Sequence, residues 1–311
     1  MTWSGPTDVV LALDVGGTSI KCGLITPAGE VRHAERHATA ADRGPAAVVE
    51  TILQAGEKLV ATAGGAGLTP RAVGIVVPSV IDEAAGVAVW SANLGFRDVP
   101  LRDLARDRLD LPAALGHDVR AGGLAEARLG AAAGSGHVLF MAIGTGIAAA
   151  HVVAGQAAGG AHGAAGEIGH IVVRPGGPLC SCGARGCLEV MASAAAVARR
   201  YADLAGSPAS AARVAELAGT GDPVAAEVWR DAVDALADGL ITGQALYDVE
   251  VIVLGGGLAE AGETLLAPLR AALRERITFH REPRLVRAAL GDEAGCLGAA
   301  LLAVDALEGT P

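Results

Sequence analysis

Residues 9–26 read VVLALDVGGTSIKCGLIT. An apolar run from Val9 ends at Asp14. A turn built on Gly16, Gly17 and Thr18 follows, and a second run leaves it over Ser19–Thr26. Short apolar runs rich in valine and isoleucine, bounded by glycine, read as buried strands. The same phrase returns at residues 138–153, VLFMAIGTGIAAAHVV, where Gly144, Thr145 and Gly146 separate two further strands. A third strand, Val249–Leu254, runs out into Gly255, Gly256 and Gly257. Two strand–turn–strand units about 130 residues apart predict a duplicated fold.

Working outward, Val31–Ala38 reads as a third strand after a turn at Pro27, Ala28 and Gly29. Pro45 opens a helix to about Ala63, in the first-turn position that proline tolerates. Ala72–Val77 and Ala113–His117 are strands; Pro100–Leu109 and Val119–Leu129 are helices. After a loop-rich stretch at residues 155–189, helices are expected at about Val190–Leu204, Ala211–Ala218, Pro223–Tyr247 and Gly262–Arg276. A strand near Leu285–Ala289 and a last helix from Ala294 complete the chain. Strands alternating with helices place the chain in the α/β class with mixed sheets.

The composition narrows the function classes. The chain has 311 residues, a length suited to about two domains. Apolar residues make up 51% and aromatic residues 3%, so the core is built from small aliphatic side chains. The formal charge of −10 argues against nucleic acid as a partner, because binding phosphates along a backbone needs a basic face. The opening residues lack the basic and apolar pattern of an export leader. The apolar stretch Val138–Ala150 is interrupted by Gly144 and Gly146 and falls short of the roughly 20 residues a membrane helix needs. Cytoplasmic location and no membrane partner are the expectations.

Four constellations carry chemistry. At Asp14-Val15-Gly16-Gly17-Thr18, two glycines let backbone N–H groups approach an anion closely, Thr18 adds a hydroxyl, and Asp14 suits the water shell of a metal ion. A plain hairpin turn explains the same residues. Recurrence of the pattern at Gly144–Gly146 and Gly255–Gly257 favours a nucleotide site lined by all three turns. None of them is the G-x-x-x-x-G-K-[ST] phosphate loop. Lys21 is either a phosphate contact or a solvated strand residue.

Three of the five cysteines, Cys180, Cys182 and Cys187, fall within eight positions. With His170 they make the spacing H-x9-C-x-C-x4-C. Four soft ligands at that spacing fit tetrahedral zinc with no open position, hence a structural site. Glu167 and His170 lie three apart in Gly166-Glu167-Ile168-Gly169-His170. If zinc takes one imidazole nitrogen of His170, the other becomes an oriented donor beside a carboxylate, a pairing suited to a polyhydroxy ligand. In Gly116-His117-Asp118, between a strand and a helix, Asp118 is either a helix N-cap or a general base for an attacking hydroxyl.

Taken together, the segments Leu11–Gly23, Gly74–Asp82, Ser91–Leu101, His117–Glu126, Gly144–Val173, Cys180–Ser193, Val251–Gly257 and Leu290–Ala303 resemble the ROK family of sugar kinases and sugar-responsive repressors. The resemblance runs from about residue 9 to 303. It implies an actin-like, hexokinase-type ATPase fold of two domains with a cleft between them. Residues 1–118, completed by the last helix at about 295–311, would form the smaller domain, and residues 119–294 the larger domain with the zinc loop. It further implies ATP-dependent phosphorylation of a hexose 6-hydroxyl, glucose first, with Asp118 as base. Asn93, His117, Glu167, His170 and Glu189 would hold the sugar. Asp14, Gly16–Thr18, Gly144–Gly146 and Gly255–Gly257 would surround Mg2+ and ATP, and a homodimer or homotetramer is implied.

The chain departs from the family pattern at Ser79, His117, Arg120, Phe96 and Ala148–Ala150. The first four bear on which sugar is bound, and the alanines on nucleotide affinity. An N-acetylhexosamine kinase, for example for N-acetylmannosamine, and a non-catalytic sugar-binding protein are the alternatives. A repressor would carry a helix-turn-helix before Val9, where only about eight residues stand.

Overall fold

The structure is a computed structural model that describes residues 5–309; residues 1–4 and 310–311 of the two terminal spans expected above lie outside it. The first elements are β1 (Asp8–Val15), β2 (Ser19–Ile25), β3 (Val31–Ala38), α1 (Pro45–Gly65), β4 (Thr69–Val77), β5 (Val80–Asp82), β6 (Val87–Ser91), β7 (Phe96–Val99), α2 (Leu101–Leu109), β8 (Ala113–His117) and α3 (Asp118–Arg128). Then come β9 (His137–Ile143), β10 (Ile147–Val153), β11 (Gln156–Ala157), α4 (Leu188–Ala192), α5 (Ala194–Ala205), α6 (Ala211–Gly219) and α7 (Pro223–Tyr247). The chain ends with β12 (Val251–Gly255), α8 (Glu263–Arg276), β13 (Arg284–Arg287) and α9 (Ala294–Glu308).

The expected repeat is the skeleton of the molecule. One five-stranded sheet has the order β3-β2-β1-β4-β8 and the other β11-β10-β9-β12-β13. In each, a strand and its glycine-turn partner run antiparallel, β1 with β2 and β9 with β10, and two later strands join in parallel on the other side. By contacts the chain divides into two compact units. The first runs to Ala125 and includes Ala157–Ala165 and the segment from Asp292; the second holds Glu126–Gln156 and Gly166–Gly291.

In the first unit, α1 lays Val48, Ile52, Leu59 and Ala63 against Leu11, Leu13, Ile20 and Ile75 of the sheet, all fully buried. Alternation along β4 points Gly74 to the other face, where α9 packs. A Cβ on Gly74 would stand 1.8 Å from the Ala299 carbonyl oxygen, and one on Gly298 would stand 2.1 Å from that of Ala121. Both glycines are therefore needed for backbone-to-backbone contact. Gly74→Ala is expected to lower stability by about 1–3 kcal/mol through overpacking. Denaturant midpoints measure this, and a change under about 0.5 kcal/mol, the scale of an ordinary surface substitution, would refute the close packing.

In the second unit, the 25-residue α7 is the central beam. It starts at Asp222, whose carboxylate caps the Ala225 N–H at 2.8 Å, with Pro223 in the first helical position. Val228, Ala232, Leu236 and Leu240 are buried along it. Fully buried Glu126 accepts the N–H groups of Ala131 (2.8 Å), Ala289 (3.1 Å) and Leu290 (2.8 Å), so one carboxylate satisfies three backbone donors of two distant loops.

Two features differ from the sequence expectation. Residues 80–99 form a three-stranded antiparallel sheet, β5-β6-β7, whose strands of three to five residues are too short to show a period. The single helix expected at Val190–Leu204 is two helices. Ser193 interrupts it in extended conformation, and its hydroxyl caps the Ala196 N–H at 3.1 Å.

Candidate active site

Asp14 is the penultimate residue of β1, and the turn after the strand is tight: the Gly16 N–H donates to the Ser19 carbonyl at 2.9 Å. Thr39, fully buried, fastens this turn from behind. Its hydroxyl donates to the Gly16 carbonyl at 2.7 Å and its N–H to that of Thr18 at 3.1 Å. Gly17 and Thr18 are left exposed. Asn93 comes against this turn, 3.9 Å from where a Gly17 Cβ would lie. The loop carrying Asn93 is held by Ser91, whose hydroxyl donates to the Pro78 carbonyl at 2.6 Å and accepts the Leu94 N–H at 3.3 Å. Leu94 and Phe96 on either side are buried.

Asp118 opens α3 at the end of β8. The Val119 N–H donates to Asp118 Oδ1 at 2.7 Å and to His117 Nδ1 at 3.1 Å. Asp118 is thus a first-turn helix residue and still keeps 29% of its side chain accessible. Burial pushes its carboxyl above the usual aspartate value, partly offset by the Val119 N–H and by Arg120. Asp14 is raised likewise, by burial first, with Lys21 pulling the other way and the Asp118 charge adding to the rise. The Asp118 charge is therefore felt at Asp14.

The departures resolve locally. The Ser79 hydroxyl donates to the Trp90 carbonyl at 2.8 Å and is buried, so it is spent on the backbone rather than offered to a ligand. Arg120 is also buried. It donates to the Gly163 carbonyl and to Glu83 Oε1, both at 3.0 Å. Phe96 is fully buried. Ala149 and Ala150 lie inside regular β10, paired with Met141 and Phe140, away from the turn itself. The Lys21 ammonium is paired with Asp14 and Asp292.

In the second unit the Gly144–Gly146 turn closes with the Gly144 N–H on the Gly146 carbonyl at 2.9 Å. The Ile147 N–H donates to Glu189 Oε2 at 3.0 Å, and a Cβ on Gly146 would lie 2.5 Å from that oxygen. Glu189 is thereby locked to the turn. The Gly255–Gly257 turn stands beside it: Gly256, at φ 81°, leaves only 2.5 Å between its missing Cβ and the Ile143 carbonyl. Next to exposed Gly257 is a cavity of about 260 Å³ lined by Ala211, Ala215, Glu216, Leu258 and Glu260. It escaped the sequence reading because α6 lies some 40 residues before the turn.

Glu167 immediately precedes a one-turn 3-10 helix, Ile168–His170, which His170 ends. The glycines around them are dictated by β10. A Cβ on Gly166 (φ 97°) would lie 2.0 Å from the Ala149 carbonyl, and one on Gly169 2.2 Å from that of Ile147. His170 Nδ1 is 3.6 Å from Cys180 Sγ, while Nε2 turns to Glu167, 3.9 Å from Oε2. Cys182 and Cys187 sulfurs are 3.6 Å apart, and all four donor atoms lie within 4.8 Å of one another. Ligands about 2.3 Å from a tetrahedral centre stand about 3.8 Å from each other, so the set fits zinc in both chemistry and spacing. Cys187 directly precedes α4, which carries Glu189.

The ROK family model matches residues 10–306. The chain belongs to the ROK family. It is 33% identical to the glucokinase of Thermotoga maritima, with 96% of this chain and 98% of that one covered. Among solved structures, the ROK hexokinase from Thermus thermophilus is 34% identical with a TM-score of 0.87, covering 97% of this chain and 99% of that one. A ROK glucokinase from Streptomyces griseus, in complex with glucose and AMPPNP, is 30% identical with a TM-score of 0.80, covering 96% and 99%. The fold is accordingly the actin-like ATPase fold of ROK hexokinases.

Proposed function

We propose that this ROK protein is an ATP-dependent hexose kinase that phosphorylates the 6-hydroxyl, with glucose as its best substrate. The observation that carries the reading is Asp118: a partly accessible carboxylate, made more basic by burial, at a strand–helix junction in a chain that aligns end to end with glucokinases. The sugar O6 attacks the γ-phosphorus of ATP. The new O6–P bond forms as the bond from phosphorus to the β,γ-bridging oxygen breaks, the hydroxyl proton passes to Asp118, and ADP departs. Phosphoryl transfer of this kind relies on positioning and charge neutralisation more than on covalent help.

The residues divide by role. Asn93, His117, Glu167, His170 and Glu189 hold the sugar hydroxyls. The three glycine turns offer N–H groups to the phosphates, and Thr18 and Thr145 add hydroxyls. Asp14 is suited to the water shell of Mg2+, which when bound supplies neutralisation of the β- and γ-phosphate charge. The cavity beside Gly257 takes the base of the nucleotide. His170, Cys180, Cys182 and Cys187 would hold a structural zinc. We assign the smaller domain to residues 1–118 with the last helix, and the larger to residues 119–294.

A cytoplasmic homodimer or homotetramer without nucleic-acid or membrane partners is the accompanying proposal. The acidic net charge disfavours a nucleic-acid partner, and among the described residues no helix is long and apolar enough to cross a membrane. The test is ATP turnover across hexoses, N-acetylhexosamines and a no-sugar control. Preferential turnover with glucose supports the assignment; preference for an N-acetylhexosamine would replace it, and binding without turnover would leave a sugar-binding protein.

A further inference from the structure

Asp14, Lys21 and Arg36 lie in one row across three adjacent strands: Asp14 stands opposite Lys21 in the β1–β2 pair, and Lys21 opposite Arg36 in the β2–β3 pair. Two cations side by side on neighbouring strands repel each other. Asp292, from the turn that leads into α9, answers both. Its Oδ1 takes the Lys21 ammonium at 2.6 Å, its carbonyl takes the same ammonium at 3.0 Å, and its Oδ2 takes Arg36 Nη2 at 2.6 Å. Held from that side, the Lys21 ammonium reaches Asp14 Oδ2 at 3.5 Å. The first turn of α9 closes over the same carboxylate, since a Cβ on Gly295 would lie 2.3–2.9 Å from its three atoms.

We propose that Lys21, anchored by Asp292 and Arg36, is a positioning residue that orients Asp14 toward the magnesium-bound phosphates. The inference rests on the assignment of Asp14 made under the proposed function. An aspartate side chain has two rotatable bonds. Lys21 claims only Oδ2, and Gly295 leaves no room for the carboxylate to swing toward α9. Oδ1 has no side-chain partner among the described residues and is the oxygen left for a ligand. The Lys21 ammonium is already engaged by two acidic residues, Asp14 and Asp292, which holds it beside Asp14. Asp292 lies 271 residues from Lys21 in sequence, so the clasp exists only in the folded chain.

The test is equilibrium binding of ADP by calorimetry, with and without Mg2+, and of glucose, for the full-length wild type, Lys21→Met, Lys21→Arg, Asp292→Asn and Asp14→Asn. Lys21→Met is expected to weaken Mg·ADP binding about tenfold, the scale found when a group that orients a metal ligand is removed. Mg2+-free ADP and glucose should bind within about twofold of wild type, and Lys21→Arg should recover part of the loss. In turnover the defect should appear in the KM for Mg·ATP more than in kcat. If Lys21→Met proves unstable, Asp292→Asn, a change at an exposed side chain, must give the same Mg2+-specific loss in smaller measure. Wild-type Mg·ADP binding in Lys21→Met, or in Asp292→Asn where that variant stands in for it, together with a loss in Asp14→Asn, overturns the proposal. Wild-type binding in Asp14→Asn overturns the assignment beneath it.

Discussion

Asp118→Asn is expected to lower kcat by about 10²–10⁴, the usual contribution of a positioned general base, while sugar affinity stays within a few-fold. Asparagine keeps the size of the side chain and an oxygen able to accept the Val119 N–H now bonded at 2.7 Å, but it cannot take the hydroxyl proton. The same substitution should leave stability at neutral pH equal to or above that of wild type. Burial raises the Asp118 carboxyl above the aspartate reference of 3.8, so the folded state holds that proton more tightly than the unfolded state. The corresponding stabilisation is complete below the unfolded value and is lost as pH rises through the folded one. The asparagine side chain mimics the neutral form and avoids that loss, so the variant's advantage in Tm should shrink on acidification. In wild type, kcat/KM should fall in acid on a limb whose midpoint lies above the ordinary aspartate value. Single-turnover rates and Tm against pH measure both effects. A kcat loss smaller than tenfold would remove Asp118 from the role of base.

The second large effect is expected from removing the metal. One zinc per chain should be found in the purified protein. Stripping it should weaken glucose binding by about 10–100-fold, the scale set by groups that orient a site's ligands. It should also lower Tm and open residues 170–189 to protease. The cause is the double connection of the cage. His170 gives Nδ1 to it and keeps Nε2 on the Glu167 side, and Cys187 anchors the start of α4, two residues before Glu189. Without the ion, four ligands within 4.8 Å of one another lose the bonds that hold the loop closed. Cys180→Ser should reproduce the result. Verified loss of zinc with unchanged sugar binding would show that the cage and the sugar contacts are independent.

Much of the fold was legible because its signals are local. Buried strands of a parallel or mixed sheet are apolar on both faces, so β1, β4, β9 and β12 read as unbroken hydrophobic runs and the turns between them as glycine. The cage was legible for the same reason: His170, Cys180, Cys182 and Cys187 span 18 positions, and their chemistry admits few other readings. Glu167 and Asp118 drew attention as polar residues next to glycine or at a strand end; the local pattern left Asp118 open between helix cap and general base, and the resemblance to the ROK family implied the base.

The other features depend on partners distant in the chain. Thr39 looks like any loop threonine until it is seen buried behind the Gly16 turn. Glu126 looks like a surface helix residue until Ala289 and Leu290, over 160 residues on, bring their N–H groups to it. Ser79 looks like a free hydroxyl beside Pro78 until it is seen bonded to the Trp90 backbone. The sequence by itself determined the α/β class, the repeated strand–turn–strand units and the cluster of His170, Cys180, Cys182 and Cys187, because each is written in residues that are neighbours in the chain. Only the tertiary structure decided that the Lys21 ammonium meets Asp14 and Asp292, that Arg120 binds Gly163 and Glu83, and that a cavity opens beside Gly257. A side chain's hydrogen-bond and ion-pair partners are set by which backbone segments pack together, and local sequence does not encode that choice.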